Sequence, residues 1–180
     1  MLLENAVETE RLLLRPENET DCDHIYRINT DPQVMRYIGD GSIMSLTRDE
    51  LCIRLKKLIA ERVNDEYGIA AVVLKETNKY IGACWLKYDS FVDGVELGYR
   101  YAKDAWGKGY ATEAAMGVLK EGFKLPKLTK VFARAHHENL ASLRVIEKLG
   151  FKQIDSKYDS QTKTEVPVFQ LLKDHYFKNK

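Results

Sequence analysis

The chain is short of the residues that break or staple a fold. Only 4 prolines and 11 glycines occur among 180 residues, and they serve as punctuation. No linker, repeat or low-complexity tract is visible, so one domain spanning residues 1–180 is expected. The three cysteines, Cys22, Cys52 and Cys84, are scattered, odd in number and without CxxC spacing. That argues against a disulfide framework or a zinc site and predicts reduced thiols acting as small buried hydrophobes. No apolar run approaches the ~18–20 residues of a membrane span. The opening, MLLENAVETERLLLRP, has acids where a secretory leader has a basic start and an apolar stretch. The expected location is cytoplasmic, with no membrane partner. Charge excess is lacking as well: 28 basic side chains face 27 acidic ones, net +1. A domain that grips nucleic acid through phosphates shows a clear basic surplus, so no nucleic-acid partner is expected.

What is present is a globular composition, 44% hydrophobic and 31% charged. Arg11 to Pro16 reads as a short strand stopped by proline. Thr20 to Asn29 reads as a helix with Thr20 as N-cap, and Pro32 to Ile38 as a short turn before Gly39-Asp40-Gly41. Thr47 and Glu50 have capping-box spacing ahead of a helix whose apolar stripe runs through Leu51, Leu55, Leu58, Ile59 and Arg62. The period then changes. Ile69–Leu74, Tyr80–Leu86 and Val95–Tyr101 read as three antiparallel strands with turns at Thr77-Asn78-Lys79 and Asp93-Gly94. A helix from Gly109 to Phe123, a strand from Lys130 to Ala135 and a helix from Leu140 to Lys148 follow. Leu149-Gly150-Phe151 ends that helix with a left-handed glycine cap. Strands near Phe151–Asp155 and Val166–Leu172 complete a mixed α/β domain.

Between the third strand and the next helix lies Trp106-Gly107-Lys108-Gly109-Tyr110-Ala111-Thr112. Small residues at 107, 109 and 111 allow close backbone approach, and the unpaired amides of a helix start favour an anion such as a pyrophosphate. A purely structural glycine turn gives the same pattern. A dinucleotide fold would place it near the chain start with a strand-borne acid ~20 residues on, and none is seen; the Walker pattern is also absent.

A second segment narrows the choice: His136-His137-Glu138-Asn139 through Ser142 to Lys148-Leu149-Gly150-Phe151. Together with Thr9-Glu10-Arg11-Leu12-Leu13-Leu14-Arg15, Glu96-Leu97-Gly98-Tyr99 and Trp106–Ala114, it resembles the GNAT superfamily, specifically its RimJ/RimL-like branch. The resemblance spans nearly the whole chain. It implies the GNAT fold: a central mixed, mostly antiparallel sheet of six to seven strands flanked by about four helices. It also implies acetyl-CoA as co-substrate, no metal, and direct transfer to an amine acceptor, either a small molecule or a protein N-terminus. The superfamily loop Q/R-x-x-G-x-G/A has Trp106 in place of Gln or Arg. By this resemblance Gly107, Lys108, Gly109, Tyr110, Ala111 and Thr112 cradle the pyrophosphate. The backbone of Tyr99, Arg100 and Tyr101 pairs with the pantetheine arm, and Asn139 bonds it from the other side. Homodimerisation occurs in the family and is left open here.

Chemistry then needs a base for the amine and a donor for the thiolate. Glu96 is the candidate base, the alternative being a solvated or paired strand glutamate. Ser142 is the candidate donor, the alternative being a helix cap. Many GNAT enzymes carry a tyrosine seven residues after the asparagine, a position that is Ile146 here. That leaves a second reading, a CoA-binding module with little catalysis, and a remote third, a dinucleotide oxidoreductase. His136-His137 reads as loop rather than metal pair, since adjacent side chains diverge.

Overall fold

A computed structural model describes residues 6–61 and 67–178. Eight strands form one sheet in the order β1-β2-β3-β4-β5-β6-β8-β7. They are β1 (Val7–Glu8), β2 (Leu12–Pro16), β3 (Gly68–Leu74), β4 (Lys79–Asp89), β5 (Gly94–Tyr101), β6 (Lys130–Arg134), β7 (Lys152–Asp159) and β8 (Thr164–Leu172). All pairs are antiparallel except β5–β6. The mixed, mostly antiparallel sheet is the one expected, with one more strand. That strand, the two-residue β1, is too short to carry an alternation signal.

The helices are α1 (Cys22–Asn29), α2 (Pro32–Met35), α3 (Arg48–Glu61), α4 (Tyr110–Gly122), α5 (Leu140–Lys148) and α6 (Lys173–Lys178). Side chains alternate across β5, and this divides the molecule. Val95, Leu97, Tyr99 and Tyr101 join the main core with Ala114, Ala115, Val118 and Leu119 of α4. Glu96, Gly98 and Arg100 therefore face the opposite side, where α1 and α2 pack Ile28 and Val34 against Ala71, Val73 and Tyr80. Strand β3, at the centre of this region, carries buried apolar residues on both faces, Ala70 and Val72 on one and Ala71 and Val73 on the other, because helices cover both.

Several local readings need correction. Thr20 is not the N-cap. Asn18 caps a 3-10 turn at Glu19–Asp21, its side chain accepting from Thr20 N and from Thr20 Oγ1. Asp21 reaches back to Asn18 N and binds Arg15 through both oxygens, so the turn is fixed before α1 begins. The turn at Pro32 is helical only to Met35. The Thr47–Glu50 capping box is present. In α3, however, Leu51 and Leu55 are buried while Leu58 is 41% exposed; Arg62 lies outside the described residues. Strand β7 continues to Asp159, well past the expected end at Asp155. Gly150, at φ +86°, ends α5 as expected.

The expectation of three reduced thiols also fails. Cys22 of α1 and Cys52 of α3 form a disulfide, with Cα atoms 5.6 Å apart. Helix packing brought together two residues 30 apart in sequence, a proximity that spacing could not reveal. Cys84 is free and buried.

Candidate active site

Strands β5 and β6 run parallel and pair only at Glu96↔Phe132 among the described residues. Beyond Glu96 they fork, while β5 stays paired with β4 to Tyr101. Ala102 N donates to Ile81 O, which sets the phase of that antiparallel ladder. Residues opposite one another there alternate between bonded and non-bonded pairs, so Arg100 bonds toward β4 while Tyr99 and Tyr101 turn their amides and carbonyls into the fork. Of the three residues expected to meet a pantetheine arm, Tyr99 and Tyr101 turn backbone edges into the fork and Arg100 does not. Arg100 instead extends its side chain to the α1 face, where a guanidinium nitrogen donates to Asn29 Oδ1.

The loop that closes β5 leads directly into α4. Gly107 and Gly109 adopt φ of +74° and +82°, a region glycine occupies without the penalty a Cβ would bring. Gly109 is the N-cap of α4, and no side chain caps that end. The first amide with a partner inside the helix is Glu113, which donates to Gly109 O. The amides of Tyr110, Ala111 and Thr112 therefore precede the helical ladder, in the field of the helix N-terminus. Lys108 lies between the two glycines in the same loop. Trp106, the departure from Gln or Arg, donates its indole N–H to Tyr101 O over 2.9 Å, tying the loop to the strand end.

Sequence reading missed what holds this loop. Arg11 donates through Nη1 to Lys108 O (3.0 Å) and through Nε to Glu113 Oε2 (2.7 Å). Glu113 Oε1 also accepts from Thr9 Oγ1 and Arg11 N, and the guanidinium stacks on Tyr110 with its carbon 4.6 Å from the ring centroid. The Thr9-Glu10-Arg11 and Gly109–Ala114 motifs, about a hundred residues apart, are thus one structural unit. Their joint occurrence was the available signal.

Across the fork, Asn139 is the N-cap of α5, its Oδ1 accepting from Ser142 N at 3.2 Å. Among the described residues its side-chain NH₂, which carries two donors, meets no acceptor. The capping alternative for Ser142 is therefore overturned: its hydroxyl lies 2.8 Å from Tyr99 Oη. His136 stacks between Tyr37 and His137, with centroids 4.9 and 4.3 Å away, so the turn that follows α2 meets the β6–α5 loop.

Glu96 sits at the crotch of the fork, on the α1 side, its side chain 13% exposed. Arg134 Nε donates to it at 3.1 Å, and Arg134 Nη2 donates to Asp89 at 3.1 Å. Burial is the main influence on the Glu96 carboxyl, opposed by Arg134 and reinforced by Asp89, and it is raised to about 7. Gly98, next along this face, accommodates the Trp85 ring: a Cβ there would lie 2.3 Å from it. Asp89, Arg134 and Trp85 join Glu96 only in the folded chain, and no motif groups them with it.

Comparison with known proteins supplies the family. A family model for the acetyltransferase (GNAT) domain matches residues 11–152. The chain is 27% identical over 173 residues to an uncharacterized N-acetyltransferase, p20, of Bacillus licheniformis, covering 93% of this chain and 96% of that protein. A GNAT-family acetyltransferase from Bacillus anthracis superposes with a TM-score of 0.79 at 25% identity, covering 94% of this chain and 99% of the other. RimL, a ribosomal L7/L12 alpha-N-protein acetyltransferase solved with coenzyme A, shares the fold at 11% identity, with a TM-score of 0.80 and coverage of 95% and 99%. A strand fork, an uncapped helix start after a glycine loop, and a family match over most of the chain converge: the protein belongs to the GNAT family of N-acetyltransferases.

Proposed function

We propose that the protein transfers the acetyl group of acetyl-CoA directly to a primary amine, as a member of the RimJ/RimL-like branch. The observation that carries this reading is the juxtaposition of an anion-seeking helix start with the fork that holds Glu96. Residues 107–112 would grip the diphosphate through backbone amides. The pantetheine arm would lie in the fork along the Tyr99 and Tyr101 edges, with Asn139 donating from the other wall. The thioester then reaches the crotch beside Glu96. An amine attacks only when neutral, and a carboxyl near 7 is suited to take its proton at physiological pH. Amides of the β5 edge polarise the thioester carbonyl. Holding both reactants at one point supplies much of the acceleration.

The acceptor enters from the α1 face, over Trp85 and Glu96. A protein N-terminus, a polyamine or another small amine all present the same nucleophile. The chain's near-neutral charge provides no strong field to prefer one. The discriminating experiment is a panel of N-terminal peptides, polyamines and aminoglycosides, following free thiol released from acetyl-CoA. Turnover with one class identifies the acceptor. Tight coenzyme A binding with no turnover on any amine would establish the alternative, a CoA-binding module. That second reading is motivated by Ile146, which stands where many relatives carry the acid tyrosine and is 1% exposed.

A further inference from the structure

The departing thiolate needs a proton, and Ile146 has none to give. A phenol does reach the same helix, but from the sheet. Tyr99 points from β5 toward the α5 side, and its Oη lies 2.8 Å from Ser142 Oγ and 3.3 Å from Ser142 O, in the first turn of α5. The two residues come from opposite walls of the fork, since α5 follows β6. Ser142 is free for this contact because Asn139 caps the helix.

We propose that Tyr99 supplies the proton that neutralises the coenzyme A thiolate, passing it through the Ser142 hydroxyl. Tyr99 is then a positioning and proton-supplying residue acting through Ser142. The inference rests on the acetyl-transfer reading above. A phenol is a stronger acid than an aliphatic alcohol, so serine alone is the poorer source and a good relay. Burial holds the Tyr99 phenol at about 12, protonated throughout the physiological range. The titratable groups facing it are the buried Cys84 thiol on β4, itself pushed upward by burial, and the Tyr101 phenol on β5. The steps balance. The amine nitrogen bonds to the thioester carbon and gives its surplus proton to Glu96. The carbonyl re-forms as the C–S bond breaks with its electron pair on sulfur. Sulfur takes the Ser142 hydrogen, Ser142 takes the Tyr99 hydrogen, the phenolate regains a proton from solvent, and Glu96 releases the amine's proton to solvent, so the protein ends as it began.

The test compares the whole protein with Tyr99→Phe, Ser142→Ala and the double variant. Each single change should lower kcat about 10- to 100-fold while leaving coenzyme A affinity near the parent's. The double variant should lose no more than either, because one relay is cut once. Replacing Tyr99 with 3,5-difluorotyrosine, a more acidic phenol of nearly the same shape, should move the alkaline limb of the kcat profile to lower pH. A packing role would not move it. Parental kcat in Tyr99→Phe, multiplied losses in the double variant, or an unmoved alkaline limb would each overturn the relay. Failure of the parent to acetylate any amine would instead overturn the transfer reading, and the relay with it.

Discussion

Replacing Glu96 by Gln should inactivate the enzyme and yet stabilise it above neutrality. The carboxyl is held near 7, against an ordinary value of 4.5, chiefly because its ionised form is buried. The folded state therefore keeps this proton after the unfolded chain has released it. The favourable contribution is fully present below pH 4.5, declines between 4.5 and 7, and is gone above 7. That gap of about 2.5 pH units, at 1.36 kcal/mol each, is worth roughly 3 kcal/mol. A glutamine amide resembles the protonated carboxyl and does not titrate. Parent and Glu96→Gln should have similar stability near pH 4.5, and the variant should be ahead by about 3 kcal/mol at pH 8. Urea unfolding at both pH values measures this, and the comparison cancels the titrating groups that do not interact with Glu96. Meanwhile kcat should fall about 10²-fold or more, and the parent's rise in kcat through pH 7 should vanish. Parallel stability profiles for the two proteins, or a variant weaker than the parent at pH 8, would refute the burial argument.

Arg134 is the largest influence opposing that shift, so Arg134→Gln should raise Glu96 further and move the acidic limb of the kcat profile to higher pH; a pH–rate profile checks it. Arg11→Met should free Lys108 O and unfasten Glu113, weakening coenzyme A binding roughly threefold to tenfold through a loosened loop, measurable by calorimetry.

Much of this was legible in the chain. The strand and helix order followed from periodicity, and the loop before α4 from its glycines. Gly109, Asn139 and Glu96 could be nominated because each lies within or beside a motif, and the fold sets all three around the β5–β6 fork. What escaped was everything produced by distant segments meeting. Arg11 clasps Glu113 across about a hundred residues, and Cys22 reaches Cys52 only because α1 packs on α3. The Tyr99–Ser142 contact joins β5 to α5 between residues 43 apart in sequence. The Thr20 error was local: Asn18, two residues earlier, caps the 3-10 turn ahead of α1, and Asp21 fixes it by bonding the Asn18 amide. Propensity ranks such residues too closely to separate them.

In the proposed reaction residues 107–112 hold the coenzyme's diphosphate through their backbone amides. Calorimetric titration of coenzyme A into the parent and into Gly109→Val tests it. At φ +82°, with an added Cβ 3.4 Å from Arg11 Nη2, valine strains the loop and crowds the amides. The parent should bind, and the variant should bind more than tenfold more weakly. Equal affinity in the two proteins, or no heat from the parent, would contradict it.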